Sequence, residues 1–202
     1  MRSTPREGGP PTPSMRWPPP PPGRVRWAWL LELGWRQRRV RKLLSVLDGR
    51  YPRGGILLDV GGGTGVGARL AVERSPQGAF RRPVIVDAQK GMLARAARHR
   101  IPAELVCGDA VRLPIGDRTV DILLSLGVLC CLAPEAVPAA VEESWRVLRP
   151  GGLAVVALPR WRGDDDSPIF RSRGFREVAH PRPGWTLFER PPGGPSDGTE
   201  RP

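Results

Sequence analysis

Five short apolar runs recur between Ile56 and Leu158, with helical patterns between most of them, and nothing else in the chain restricts its fold as tightly. The runs are Ile56 to Val60, Val84 to Asp87, Glu104 to Cys107, Val120 to Ser125 and Leu153 to Leu158. Strands apolar on both faces are buried on both faces, and helices must then cover them. Val66 to Arg74, Met92 to Arg100 and Pro134 to Leu148 carry apolar residues at helical spacing. Repeated βα units with right-handed crossovers predict a doubly wound, Rossmann-like, mostly parallel α/β sheet.

The end of the pattern differs. Phe175 to Ala179 and Trp185 to Glu189 are joined through His180-Pro181-Arg182-Pro183-Gly184, too short for a crossover helix, so an antiparallel hairpin is expected. Before it, Ser167-Pro168 has the character of a helix start and Gly174 of a helix end. The chain therefore divides into a Pro-rich tail (1–22), an N-terminal helical region (23–53), a single α/β domain (54–190) and a second tail (191–202).

Nine prolines in residues 1–22 leave too little apolar surface to nucleate a core, and Met15 is as good a translation start as Met1. In the next region Trp27, Leu30 and Leu31 share one face, and Val40, Leu43, Leu44 and Leu47 follow helical spacing, with Gly34 as the break. The second piece is expected to pack on the sheet. The first, with Trp27, Trp29 and Trp35 among arginines, suits a core cap, a substrate lid, a membrane-surface helix or a partner-binding face.

Residues 1–53 hold twelve basic residues against three acids, whereas the rest holds twenty against seventeen, so the α/β body is close to neutral. Thirty of the 32 basic residues are Arg and Asn is absent, a bias that GC-rich coding produces as readily as selection for a polyanion. The basic balance is therefore no evidence for nucleic acid on its own. Three cysteines make no disulfide framework and no apolar stretch is long enough to span a bilayer, so a reduced, cytoplasmic protein is expected.

The loop Asp59-Val60-Gly61-Gly62-Gly63-Thr64-Gly65 leaves a strand and enters a helix, which lets a ligand approach bare backbone. Read from Gly63, the run to Ala68 also satisfies a dinucleotide fingerprint, with Asp87 at the ribose-acid spacing. Asp59 separates the two readings: a carboxylate at the loop mouth repels a pyrophosphate and attracts an ammonium group. Asp87 ends the second strand, where two oxygens suit vicinal hydroxyls, and Asp109 follows the third, where it suits an exocyclic amine.

These residues resemble the class I S-adenosylmethionine-dependent methyltransferases, in particular the small branch similar to ubiquinone and menaquinone biosynthesis methyltransferases. The resemblance covers about Ile56 to Leu158 in five ordered blocks: the Asp59 glycine loop, Val86-Asp87 with Gly91-Met92-Leu93, Gly108-Asp109-Ala110 with Leu113-Pro114, Val120 to Ser125, and Arg146 to Gly152. It implies S-adenosyl-L-methionine as cofactor, with its methionine part on the backbone of Gly61, Gly63 and Gly65 and its ammonium near Asp59. It further implies Asp87 on the ribose, Asp109 on the adenine amine with Ala110 beside the ring, and Leu126 and Gly127 bordering the methyl group. Asp121 is read as structural, and the run Asp164 to Asp166 as a solvated loop.

Many relatives carry a histidine after the fourth strand, where this chain has Gly127-Val128-Leu129-Cys130-Cys131-Leu132. No catalytic base is assigned. The cysteine pair is read as buried apolar side chains and no metal site is expected. Only about sixteen residues separate the fifth strand from Phe175, so the acceptor site is open or covered from elsewhere, by the Trp27 segment or by a second subunit. A small-molecule acceptor leads. The rivals are an RNA or protein acceptor and a non-catalytic cofactor-binding partner subunit.

Overall fold

The computed structural model describes residues 38, 40–157, 167–182 and 185–193. The expected Trp27 lid, the acidic run at Asp164, the tail 1–22 and residues 194–202 lie outside the described residues. Seven strands form one sheet in the order β3-β2-β1-β4-β5-β7-β6. They are β1 (Gly55–Val60), β2 (Phe80–Asp87), β3 (Glu104–Cys107), β4 (Val120–Leu126), β5 (Leu148–Ala157), β6 (Arg176–Arg182) and β7 (Trp185–Glu189). The first five pair in parallel; β7 runs antiparallel to both β5 and β6. The doubly wound sheet and its terminal hairpin are therefore present.

Helix α1 is described over residues 40–44 and closes in a 3-10 turn, Ser45–Leu47. Then follow α2 (Val66–Arg74), α3 (Lys90–Arg98), α4 (Val137–Val147) and α5 (Ser167–Arg173). Successive strand residues point to opposite faces. Leu57, Ile85, Leu124 and Val155 accordingly meet Leu43, Leu44, Leu47, Leu70 and Leu93, while Leu58, Val86, Leu123 and Val156 meet Val141, Trp145 and Phe170. The second half of the N-terminal helical pattern thus packs on the sheet as its spacing predicts.

Helix α5 ends as its glycine predicts. The Gly174 N–H donates to the Arg171 carbonyl at 3.0 Å and the Phe175 N–H to the Phe170 carbonyl at 3.1 Å, a Schellman closure with Gly174 at φ +107°. Phe170 and Phe175 pack beneath it, ring centroids 5.3 Å apart.

Two boundaries differ from the sequence reading. β5 begins at Leu148, directly out of α4, and includes the Pro-Gly-Gly run that reads locally as a turn. β6 continues to Arg182, which places His180 and Pro181 in a strand and not in the connection. As the outermost strand, β6 tolerates a proline because the missing N–H interrupts no central ladder.

Candidate functional site

The parallel strands end level with one another. Val60 stands opposite Val86 and Ser125, Asp87 opposite Cys107, and Leu126 opposite Ala157. The connection after β1 leads to α2 on one face and that after β4 to α4 on the other, so a crevice opens between β1 and β4 at the carboxyl edge.

The glycine loop closes on β2 through the Gly61 N–H, which donates to the Val86 carbonyl at 2.8 Å. Gly61, Gly63 and Gly65 all have positive φ, at +62°, +56° and +80°. A Cβ on Gly61 would stand 2.7 Å from the Val128 side chain, and one on Gly65 2.3 Å from Ile101 Cδ1. Those two glycines are demanded by packing within the fold. At Gly63 the nearest atom would be Met92 Cε at 3.1 Å, with Asp87 Oδ2 at 4.0 Å, so this is where loop backbone stands beside the second acid.

Asp59 is buried, and its Oδ2 accepts the Ala68 N–H at 2.8 Å. Helix α2 needs that acceptor, because its N-cap is Gly65, which has no side chain to offer the first turn. The carboxylate is also enclosed by Gly62 and Gly67, where a Cβ would approach it within 2.8 Å and 2.7 Å. Burial pushes its pKa up to about 7 against the opposing effect of the Ala68 hydrogen bond, and the negative charge of Asp87 adds to the rise.

Asp87, also buried, accepts the Gly63 N–H on Oδ2 at 2.9 Å and the Gln89 N–H on Oδ1 at 2.8 Å. Asp109 is half-buried and turns the chain, with Oδ1 accepting the Val111 N–H at 3.2 Å and its carbonyl accepting the Arg112 N–H. Ala110 beside it is buried. Leu126 ends β4 half-buried, its Cδ1 over Gly67, and Gly127 follows at φ +91° with no atom within 4 Å of a Cβ built there. Asp121 sits at the opposite end of β4, where its carboxylate accepts the Ile56 N–H and pairs with Arg149, so it ties strands together far from the crevice.

A clamp around the Asp109 loop went unrecognised in the sequence. Arg146 donates to the Leu113 and Ile115 carbonyls at 2.9 and 2.8 Å and pairs with Glu143 and Asp117. Glu143 in turn accepts the Leu113 N–H at 2.6 Å. The Arg146 hydrogen bond holds the Glu143 carboxyl below its ordinary value despite partial burial. Two residues of α4 thus fasten the helix-free connection from β3 to β4. The available signal was Arg146 opening a recognised block with an acid three positions earlier on the same helix face.

Cys130 and Cys131 are half-buried and not enclosed in the core as their apolar surroundings suggest, because a 3-10 turn, Leu129–Cys131, carries them along the carboxyl edge. His180 holds Thr186 Oγ1 at 3.1 Å through Nδ1 and pairs with Glu177 through Nε2.

A methyltransferase domain family model matches residues 58–156. The malonyl-[acyl-carrier protein] O-methyltransferase of Xylella fastidiosa is 33% identical over 125 residues, which are 60% of this chain and 40% of that protein. The ubiquinone/menaquinone biosynthesis C-methyltransferase UbiE of Dinoroseobacter shibae is 36% identical over 121 residues, 55% of this chain and 46% of that one. The chain therefore spans less than half the length of these curated relatives. Among solved structures, a TehB-like SAM-dependent methyltransferase from Corynebacterium glutamicum aligns with a TM-score of 0.61, covering 81% of this chain and 98% of that one. At 19% identity, that likeness speaks for the fold alone.

Proposed function

We propose that this chain is a class I S-adenosylmethionine-dependent methyltransferase that transfers a methyl group from S-adenosylmethionine to a small-molecule acceptor. The observation that carries the reading is Asp87. Each of its oxygens receives one backbone N–H, and an ionised carboxylate offers about four acceptor positions, so both oxygens retain capacity for the two hydroxyls of a ribose. The bare backbone at Gly63 lies beside that carboxylate and suits the same ligand.

When bound, S-adenosylmethionine supplies a methyl group already activated by its sulfonium charge. Asp87 would hold the ribose, Asp109 the adenine amine with Ala110 along the ring, and the backbone of Gly61, Gly63 and Gly65 the methionine part. Asp59 lies buried behind that loop and in its ionised form would supply negative charge toward the ammonium. Leu126 and the open position at Gly127 would border the methyl group. The protein's remaining task is to align the acceptor and exclude water, and alignment alone is worth about 7–11 kcal/mol in favourable cases. No side chain is assigned as general base.

Residues 54–190 would form the catalytic unit. Relatives named for malonyl-acyl carrier protein and for quinone biosynthesis favour a small organic acceptor. The test is incubation with labelled S-adenosylmethionine and separated small-molecule, RNA and protein fractions of the source cell. Label is expected among the small molecules. Label on RNA, or on protein in a form that thioester cleavage does not release, would move the acceptor to that class, and cofactor binding with no label anywhere would point to a partner subunit.

A further inference from the structure

We propose that the vicinal thiols of Cys130 and Cys131 form a two-point binding site for a trivalent arsenical carrying one organic group. The two Sγ atoms lie 3.9 Å apart and on the same side of the turn: the Gly127 carbonyl accepts from Cys130 at 2.9 Å and from Cys131 at 3.4 Å. Both residues are half-buried and outside any disulfide.

The pair is biased to remain a dithiol. Adjacent Cα atoms are about 3.8 Å apart across a trans peptide, whereas a disulfide usually needs about 4.4–6.8 Å. The sulfur separation lies near what a shared soft atom needs: two bonds of about 2.3 Å span about 3.4 Å at the roughly 95° angle of pyramidal arsenic(III), so the thiols close by about 0.5 Å on binding. No group of three or more His, Cys, Asp or Glu able to hold a metal ion occurs among the described residues. A cation that demands four protein ligands is poorly served there. A mono-organic arsenic(III) centre needs only two.

With an arsenoxide, both S–H bonds break and two As–S bonds form. The arsenic oxygen departs with the two protons as water, and the arsenic stays trivalent. The intervening Val128 packs against Gly61, so this site shares the sheet edge with the glycine loop. The inference stands apart from the proposed methyl transfer, because its readout is covalent mass and not turnover.

The experiment uses the full chain and phenylarsine oxide, followed by excess glutathione and intact mass spectrometry. One retained phenylarsenic adduct is expected, removable by 2,3-dimercaptopropanol. Chelation should make its loss to the monothiol about a hundredfold slower than from a single-thiol site. Cys130→Ser and Cys131→Ser should each abolish that resistance, and Cys107→Ser should leave it intact. Cys130→Ala and Cys131→Ala repeat the test, and circular dichroism identifies any variant that fails to fold. No retained adduct on the wild-type chain, or retention unaffected in a folded Cys130 or Cys131 variant, would overturn the proposal.

Discussion

The backbone N–H of Gly63 donates to Oδ2 of Asp87 at 2.9 Å, joining the loop after β1 to the last residue of β2. With Oδ1 taken by Gln89, one carboxylate shapes two connections at the carboxyl edge while keeping lone pairs for a ligand. The acid is thus both a part of the loop and a part of the proposed binding surface.

Asp87→Ala should weaken S-adenosylmethionine binding by about 2 kcal/mol, from the loss of charge-assisted hydrogen bonds. Read from sequence alone, this substitution leaves the fold untouched. The buried Gly63 donor it strands predicts an additional stability loss of about 1–3 kcal/mol. Calorimetric titration and urea denaturation measure the two separately; unchanged affinity, or tight binding of a nicotinamide dinucleotide by the wild-type chain, would defeat the ribose assignment.

Asp59 makes stability depend on pH in the opposite sense to a salt-bridged acid. Its pKa rises from 3.8 to about 7 on folding because the carboxyl is buried, so the folded chain holds this proton more tightly than the unfolded one. The contribution is complete below about pH 4 and is lost as pH rises toward about 7. Asp59→Asn keeps an oxygen for the Ala68 N–H and cannot ionise. Its stability relative to wild type should climb between these limits and then level off, and a difference that stays constant with pH would disprove the shift.

Glu143→Gln should loosen the Asp109 connection without touching a ligand. The amide retains at most one of the acceptor oxygens that serve Arg146 and the Leu113 N–H, so a stability loss of about 2 kcal/mol is expected. If the clamp positions Asp109, affinity for S-adenosylhomocysteine should fall as well, in protein shown by circular dichroism to be folded. Lower stability with full affinity would make the clamp purely structural.

His180 has both ring nitrogens engaged, by Thr186 and by Glu177, which leaves neither directed at an acceptor. His180→Ala should therefore leave single-turnover methyl transfer within about tenfold of wild type across pH, less than the roughly 10²–10⁴ typical of a lost general base. A thousandfold loss with cofactor binding intact would identify it as the base.

The order of strands and helices, both apolar faces, the glycine loop and the acids Asp59, Asp87 and Asp109 were legible in the chain itself. Each is written as a local signal: a hydrophobic period, a run of glycines, or an acid at the end of an apolar run. The tertiary structure alone decided how those signals meet. It made Asp59 the missing cap of α2, bound Asp87 to Gly63, set Arg146 and Glu143 on the Asp109 loop, and drew His180 into an edge strand. Such pairings depend on strand register and on which helix crosses which face. The same local pattern is compatible with several registers, and only burying both faces of the sheet at once selects among them.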